Sequence, residues 1–471
     1  MKRLKRIWHW IDDRSGLTEI IGPIMKHPVP PGSTWAYVFG SATLFCFILQ
    51  VITGVGLSLL YQPSSAEAYQ SLQFITHQAA FGRILRGMHY FGASGMIVMV
   101  GIHMIRVYVM AAYKYPREMA WISGVFLLFM TIAMGFTGQL LRWDSNGVWS
   151  SVVAAEQLGR VPVIGRWAAR LMLGGETIGG QSLSRFYSYH VFILPAFIFI
   201  FVGYHLMLVI RNGISEPPKA GRPVDPKTYR QWYQDMLHKI GVPFWPDAAW
   251  RDMLFGALTI ITIIFLAVTF GPPELTDAPN PSSIHAYPKP DWYMLSIFSL
   301  FALMPPKIES YIIVIGPVLT IIILLCLPFV SNKGERSPIR RPWAVFGSAC
   351  VIIFVFSLFL LGMRSTWSPK FEVKALPPGK IHSVDPIVIK GGNLFYKKGC
   401  LYCHRIEGQG GQKGPDLSYV AARLSTTDLK IRIVNGGDNM PAYGGSLTNE
   451  DLSAIVAFLS SRKPAAVAAS K

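Results

Sequence analysis

The sequence has few acidic residues, few cysteines and no internal repeat. Asp and Glu number 26 against 44 Lys and Arg, so the net charge is +18. Such a charge can indicate nucleic-acid binding, but in a hydrophobic chain it indicates a bias between the two sides of a membrane, and we expect no nucleic-acid partner.

Three of the five cysteines stand alone in apolar stretches and are expected to pack rather than to bind metal: Cys46, Cys326 and Cys350. The start, MKRLKRIWHW, is followed by charges instead of an apolar run, so we expect no secretory signal peptide.

Apolar residues, in contrast, are abundant. They make up 51% of the chain and the mean hydropathy is +0.36, values typical of an integral membrane protein rather than of a large soluble enzyme. A helix needs roughly 20 apolar residues to span a bilayer. Seven stretches meet this requirement, at about 34–60, 87–112, 119–141, 186–210, 252–271, 310–330 and 343–363.

The segments between these stretches alternate in positive charge. Lys and Arg number 19 in the 91 residues of segments 1–33, 113–118, 211–251 and 331–341, but 7 in the 102 residues of segments 61–81, 142–185 and 272–308. Positive residues accumulate in cytoplasmic loops, so the first group is expected to be cytoplasmic. The sequence therefore predicts a cytoplasmic N-terminus and places everything after Met363 outside.

Composition divides the chain into five parts. Residues 1–215 contain four of the apolar stretches and residues 251–365 contain three. Between them, the polar segment 216–250 is expected to be a cytoplasmic linker. Residues 366–390 are rich in proline and charge and are expected to be a second linker. Residues 391–463 are expected to form a small soluble domain outside the membrane.

Two of the apolar stretches each carry a pair of histidines. His89 and His103 are 14 residues apart and His190 and His205 are 15 apart, or about 21 Å and 22 Å along a helix. At roughly 100° per residue, both members of a pair lie on nearly one face. The predicted topology puts His89 and His190 near the outer side (the outer pair) and His103 and His205 near the inner side (the inner pair).

Two imidazoles from neighbouring helices can be the axial ligands of a haem iron. The alternative is a hydrogen bond from each histidine to a neighbouring Ser or carbonyl group, which does not account for two matched pairs. We therefore predict two b haems, one bound by His89 and His190 and the other by His103 and His205.

Four glycines repeat the spacing of fourteen residues. They are Gly40 and Gly54 in the first stretch and Gly124 and Gly138 in the third. A flat macrocycle in a four-helix bundle needs flanking helices without side chains at its two depths, which glycine provides. Arg86 and Arg185 precede the outer pair and are candidate partners of haem propionates, although anchoring at the membrane interface explains them equally well.

The tail contains C-x-x-C-H, the signature of covalent haem c attachment. Cys400 and Cys403 are the expected thioether residues, and His404 is one axial ligand. A zinc site would need two more ligands, and the tail offers only His382. Met440, in GGDNMPAYGG, is the expected second axial ligand, and a thioether opposite histidine raises the reduction potential. Haem c is attached outside the cytoplasm, in agreement with the predicted topology.

Residues 1–365 resemble cytochrome b of the Rieske/cytochrome b quinol-oxidising complexes. The resemblance is carried by PREMAWISG, GFTGQLLRWD, GQSLSRFYSYHVFILP, RNGIS and PKPDWYMLS. It is nearest to the Gram-positive and photosynthetic branch, in which the last helices form a separate subunit IV. Residues 391–463 are similar to small class I cytochromes c, which implies Pro415 as the carbonyl partner of His404. The implied fold is an all-α integral membrane protein with a four-helix di-haem bundle, three further transmembrane helices and a small α-helical cytochrome c domain.

The resemblance also implies the core redox subunit of a quinol:cytochrome c oxidoreductase in a bacterial cell membrane. Quinol bound near the outer haem gives one electron to a Rieske iron–sulfur cluster. The other electron passes through both b haems to quinone at the inner side, while protons leave outside. Asp291 of PDWY is the implied proton acceptor, and Tyr293 is an orienting group. Without the resemblance, an Asp291 that caps a short loop helix is the alternative.

The resemblance implies partners and further pocket residues. Asp144, Gly147 and Trp149 match the outer-loop helix that lines the quinol pocket. The chain has no paired C-x-H and C-x-x-H boxes, so the Rieske protein is expected to be a separate partner. A cytochrome c or terminal oxidase is the expected acceptor beyond haem c. The quinone pool, membrane lipid and a second copy of the chain complete the expected partners.

Three positions depart from the family. Asp291 is one methylene shorter than the usual Glu, and Arg142 replaces the usual Pro. Val38 stands where the related branch has the cysteine that binds an extra haem, so we do not expect that covalent haem. Two other functions remain open: a di-haem membrane anchor of a dehydrogenase, which PDWY disfavours, and a transporter with His-lined polar paths.

Overall fold

The computed structural model describes residues 2–159, 161–175, 178–279, 288–364, 374–410, 415–436, 440, 443–445 and 447–463. Regular structure in these residues is almost entirely helical. The helices of the membrane part are α1 (Lys2–Ser15), α2 (Leu17–Lys26), α3 (Phe39–Ser58), α4 (Ala68–His77), α5 (Gly82–Val109), α6 (Glu118–Leu140), α7 (Ser145–Gly159), α8 (Gly165–Leu173), α9 (Gly180–Ser188), α10 (Leu194–Asn212), α11 (Tyr229–Ile240), α12 (Ala249–Thr269), α13 (Leu295–Ala302), α14 (Pro306–Val330) and α15 (Pro342–Arg364).

The C-terminal domain and two strand pairs complete the fold. The domain contains α16 (Pro386–Lys397), α17 (Cys400–Cys403), α18 (Thr426–Asn435) and α19 (Asn449–Ser460). The antiparallel strand pairs are β1 (Pro28–Val29) with β2 (Val242–Pro243) and β3 (Arg405–Ile406) with β4 (Gln409–Gly410).

Seven helices among the described residues are long and apolar enough to cross a membrane. They are α3, α5, α6, the continuous helix Gly180–Asn212, Phe244–Thr269, Tyr311–Val330 and α15. Each coincides with one of the seven predicted stretches. The predicted all-α membrane fold with a helical C-terminal domain is confirmed.

The fourth span is not a uniform α-helix. Between α9 and α10, Tyr189–Ile193 forms one π-helical turn, in which Leu194 N donates to Tyr189 O. Pro195 follows and has no N–H with which to continue the α-helical pattern. A π turn accommodates one residue more than an α-helical turn. His190 and His205 are 15 residues apart, and the extra residue brings their distance along the helix axis closer to that of His89 and His103, which are 14 residues apart.

The membrane helices pack around a central apolar cluster. Helix α5 lies against α3 and α12, and α10 lies against α6. The cluster at these contacts consists of Cys46, Phe47, Leu49, Met96, Ile198 and Ile263. The prediction that the lone cysteines pack is confirmed for Cys46, whereas Cys326 and Cys350 are exposed on α14 and α15, on helix faces that the seven spans leave uncovered.

A buried polar cluster joins the two membrane blocks on the predicted inner side. Arg117, which precedes α6, donates to Tyr229 Oη (2.9 Å) and to the carbonyl of Gly213 (2.8 Å). Tyr229 Oη in turn donates to Glu216 Oε2 (2.6 Å), and Glu216 forms a buried ion pair with Arg336. Because Arg336 follows α14, this inner clamp (Arg117, Glu216, Tyr229 and Arg336) fastens the first four spans to the last three.

The C-terminal domain has its own apolar core and begins earlier than predicted. Leu376 and Ile381 are buried in that core together with side chains of α16, α18 and α19. Arg462 Nη2 donates to the carbonyls of Lys380 (2.7 Å) and Ile381 (2.9 Å). Proline and charge predict a linker over residues 366–390, but residues 374–390 belong to the domain because their apolar side chains are buried in it.

Candidate haem and quinol sites

The two predicted outer ligands lie close together. The ring centroids of His89 and His190 are 6.2 Å apart, with an angle of 74° between the ring planes. Nδ1 of His89 is 2.9 Å from Thr53 Oγ1, and Nδ1 of His190 is 3.1 Å from Thr137 Oγ1. When a hydroxyl holds Nδ1 of an imidazole, Nε2 is the nitrogen that remains for a metal.

The separation of the outer pair fits a metal ion between the rings. An imidazole–metal bond is about 2 Å long and the nitrogen is about 1 Å from the ring centre, so two axial rings are roughly 6 Å apart. The observed 6.2 Å agrees with this value. In the alternative interpretation, hydrogen bonds to neighbouring groups take the place of a metal. The hydroxyl contacts occupy only Nδ1 of each ring, so Nε2 of each ring remains available to a metal.

The inner pair lies on the same two membrane spans as the outer pair, Gly82–Val109 and Gly180–Asn212. His103 lies on α5 and His205 on α10. Nδ1 of His205 is 2.9 Å from Ser123 Oγ on α6. Three of the four predicted ligands thus have Nδ1 beside a hydroxyl of a neighbouring helix. The residues present fit two haem irons with two imidazole ligands each.

Each of the four predicted glycines faces one of the four histidines. A Cβ would lie 2.7 Å from His190 Cε1 at Gly138, 3.0 Å from His103 Cε1 at Gly40, 3.3 Å from His89 Cε1 at Gly54 and 3.5 Å from His205 Cε1 at Gly124. The spacing of the glycines predicts that this space is occupied by the macrocycle. The nearest atoms instead belong to the imidazole rings, so the glycines let α3 and α6 approach each ring closely.

The two arginines predicted to bind propionates already bind protein groups. Arg86 Nη1 donates to Thr76 Oγ1 (2.8 Å) and its Nη2 donates to Pro273 O (2.9 Å). Arg185 Nη1 donates to Leu171 O (2.9 Å). These contacts hold loops near the outer pair, and a role toward haem stays a prediction for both residues.

Arg106 is a better-placed cation that sequence reasoning missed. It lies one turn after His103 on α5, and its guanidinium is 3.6 Å from the ring centroid of Tyr37. Its Nε and Nη2 are buried and have no hydrogen-bond partner among the described residues. A buried cation with free donors fits an anionic partner such as a propionate. The available sequence signal was a charge inside an apolar stretch.

Within the C-x-x-C-H segment, Cys400–Cys403 form the short helix α17 and His404 follows in an extended conformation. His404 is buried, and its Nδ1 is 3.0 Å from Pro415 O, the carbonyl partner that the resemblance implied. Cys400 and Met440 both pack, partly buried, against the core of the domain. Burial raises the pKa of the Cys400 thiol to about 12. These residues fit a covalently attached haem with His404 as one axial ligand.

Asp291 and Tyr293 form the centre of the predicted quinol pocket. Tyr293 Oη donates to Asp291 Oδ2 (3.2 Å), and Asp291 N donates to Gln139 Oε1 (3.3 Å). A Cβ at Gly135 would lie 2.9 Å from the Tyr293 ring, so glycine there makes room for the tyrosine. Burial raises the pKa of the Asp291 carboxyl above its ordinary value, while the Arg142 guanidinium lowers it.

The corner between α6 and α7 holds the outer loops in place. Asp144 is fully buried; it pairs with Arg142 Nη2 (2.6 Å) and accepts from Thr276 N (3.0 Å). Asn146 and Lys289 exchange two hydrogen bonds of 3.0 Å each. The corner thereby fixes the segment that ends in Asp291.

The other two predicted pocket residues lie on α7. Gly147 N donates to Asp144 Oδ1 (2.8 Å). Trp149 is half-buried, and its role toward quinol stays a prediction.

A second carboxylate lies at the predicted inner end of the bundle and was missed from the sequence. Asp252 on α12 is half-buried, and its Oδ1 accepts from Ser41 Oγ (2.6 Å). Ser41 follows Gly40, the glycine that faces His103. The structure therefore places one acid group beside the inner pair.

Comparison with known proteins agrees with this arrangement. Residues 24–213 match the family model cytochrome b/b6/petB, residues 278–376 match cytochrome b(C-terminal)/b6/petD, and residues 388–459 match cytochrome C oxidase, cbb3-type, subunit III. Over 214 residues the chain is 36% identical to cytochrome b6 of Synechococcus elongatus, covering 45% of this chain and 100% of the relative. Over 211 residues it is 40% identical to cytochrome b6 of Heliobacterium modesticaldum, covering 44% of this chain and 99% of the relative.

A solved structure is also similar. A chain of a "Hyperthermophilic respiratory Complex III" is 29% identical, with a TM-score of 0.64, covering 76% of this chain and 91% of that chain. The fold, the two histidine pairs and the C-x-x-C-H domain together define the class of the protein. It is a haem-binding electron-transport protein of the membrane, and it has a b-type part and a c-type part. The chain belongs to the cytochrome b/b6 family. The predicted resemblance to cytochrome b followed by a cytochrome c domain is confirmed.

Proposed function

We propose that this chain is the core redox subunit of a quinol:cytochrome c oxidoreductase. The observation that carries the proposal is that two consecutive residues of α6 connect the outer pair to the quinol pocket. Gly138 faces His190, and Gln139 accepts a hydrogen bond from Asp291 N. A membrane anchor without quinol oxidation would need the histidines but not a buried carboxylate beside them.

The predicted ligands suit three haems. Those residues are His89 and His190 for the outer haem b, His103 and His205 for the inner haem b, and Cys400, Cys403, His404 and Met440 for haem c. When bound, the haems carry single electrons, which lets one electron from each quinol cross to the inner side and makes haem c the exit.

The proton chemistry falls to Asp291. Its ionised carboxylate accepts a proton from a quinol hydroxyl, so the quinol O–H bond breaks and an O–H bond forms on Asp291. Burial raises the pKa of the carboxyl toward the range in which it is an effective base. Tyr293 holds the carboxylate by donating to Oδ2. At the inner side, Asp252 is the corresponding candidate for giving a proton to reduced quinone.

The proposed assembly is the one that the family resemblance implies. We propose that cytochrome b, subunit IV and cytochrome c parts are fused, that the Rieske protein is a separate subunit and that two copies form a homodimer. The N-terminus is cytoplasmic and the cytochrome c domain lies outside the bacterial cell membrane. A soluble or membrane-bound cytochrome c, or a terminal oxidase, accepts the electrons.

The test of this function is the variant Asp291→Asn, which removes the proton acceptor with little change of shape. Quinol-oxidation turnover of the purified complex is expected to fall about tenfold or more, while the visible haem spectra stay the same. Asp277→Asn, on an exposed side chain of the same loop, is the matched control and should keep full turnover. Wild-type turnover in Asp291→Asn would contradict the assignment.

A further inference from the structure

Gln139 is a buried amide directly beside the proposed proton acceptor. It is the penultimate residue of α6 and only 5% exposed. Asp291 N donates to its Oε1 (3.3 Å). A backbone N–H can only donate, so the amide oxygen must face Asp291 and the NH2 group must point the other way.

That NH2 group has no acceptor among the residues that the structure describes. Gln139 Nε2 is buried and makes no hydrogen bond to any described residue. Buried donors in native proteins are nearly always paired, so an unpaired one in a site indicates a partner that binds there.

The surroundings indicate what that partner is. Gly135 and Gln139 are four residues apart and therefore share one face of α6. Gly135 makes room for the ring of Tyr293, whose hydroxyl donates to Asp291 Oδ2 (3.2 Å). The amide of Gln139 thus lies on the face of α6 that contacts Asp291 and Tyr293, where a ring bearing two oxygens would bind beside the carboxylate and the phenol.

We propose that Gln139 is a ligand of the quinol ring, its Nε2 donating a hydrogen bond to a quinol or quinone oxygen. The proposal rests on the proposed function, because it takes quinol as the molecule in this pocket. Gln139 binds the ring but does not transfer a proton. Its hydrogen bond is therefore present both in the substrate complex and in the transition state. Loss of such a bond raises KM and leaves kcat nearly unchanged.

The test compares Gln139→Leu with the wild-type complex, using a short-chain quinol as substrate and cytochrome c reduction as readout. Loss of one neutral hydrogen bond predicts a KM about three- to tenfold higher, with kcat within about twofold of wild type. Gln78→Leu, on an exposed outer-side glutamine, is the control and should leave both constants unchanged. If Gln139→Leu does not assemble with its haems, Gln139→Glu replaces it, since Glu keeps an oxygen for Asp291 N and lacks the NH2 group.

The outcomes separate the two proposals. A raised KM with kcat retained supports Gln139 as a substrate ligand. An unchanged KM, or a fall in kcat alone, overturns that role and leaves quinol oxidation in place. Absence of quinol oxidation in the wild-type complex with intact haem spectra overturns the proposed function itself.

Discussion

At the scale of single residues, the charge on Asp291 is set by opposing neighbours. Burial raises the pKa of the carboxyl, Arg142 and the Tyr293 hydroxyl lower it, and Asp144 raises it. Tyr90 on α5 also faces the carboxylate. Arg142 thus supplies a cation beside the proposed proton acceptor.

Arg142→Gln is expected to shift the acid limb of kcat/KM for quinol oxidation to higher pH. Without the guanidinium the pKa of Asp291 rises further, so the carboxyl is protonated, and unable to accept a proton, at a higher pH than in wild type. Arg142→Lys keeps the positive charge and should restore most of the wild-type profile. Profiles of the purified complex measure this shift, with Arg83→Gln, an exposed arginine that donates to Phe270 O, as control. An acid limb that stays in place in Arg142→Gln would show that Arg142 does not act on Asp291.

At the scale of helices, each of the four predicted histidine ligands is contacted by a neighbouring helix. A hydroxyl of α3 or α6 lies beside Nδ1 of His89, His190 and His205, and a glycine of the same two helices faces every one of the four rings. Helices α3 and α6 therefore orient the predicted ligands, which lie on α5 and on the fourth span, Gly180–Asn212.

Gly138→Val tests this arrangement. A Cβ at this position would lie 2.7 Å from His190 Cε1, which is too close, so the ring has to move. We expect loss of the outer b haem with the inner b haem retained, measured by redox-resolved visible spectra. Gly101→Ala on α5 meets no atom within 4 Å and should keep both. Two intact b haems in Gly138→Val would show that the glycine does not limit the position of His190.

The sequence allowed the elements to be predicted but not all of their details. Hydropathy located the seven spans because only long apolar helices are stable in lipid, and the histidines stood out because polar rings are rare there. The π turn at Tyr189–Ile193 was not predicted, since it depends on how the chain accommodates Pro195. The donors of Gln139 and Arg106 that find no acceptor in the described part of the chain were also not predicted, because pairing depends on which side chains meet in three dimensions.

At the scale of the whole molecule, the inner clamp fastens the two membrane blocks to each other. Glu216 is 9% exposed and Arg336 is 2% exposed, and Arg117 lies in the same cluster. One carboxylate thus balances two buried guanidinium groups.

Glu216→Gln is expected to destabilise the membrane part strongly. It leaves Arg336 buried without its counter-charge, which typically costs about 3–5 kcal/mol of unfolding free energy. The measurement is the thermal midpoint of the detergent-solubilised protein. Lys390→Ala breaks an exposed ion pair with Glu450 and should change the stability by less than about 1 kcal/mol. Equal midpoints for Glu216→Gln and wild type would mean that the clamp does not hold the blocks together.

The central claim concerns the whole chain: two pairs of intramembrane histidines hold two b haems, and one C-x-x-C-H domain holds a haem c. A quantitative pyridine haemochrome spectrum of the purified protein tests it most directly. The account predicts two haem b for each covalently bound haem c. A protein that assembles in the membrane with no haem b, or with a single one, would contradict it.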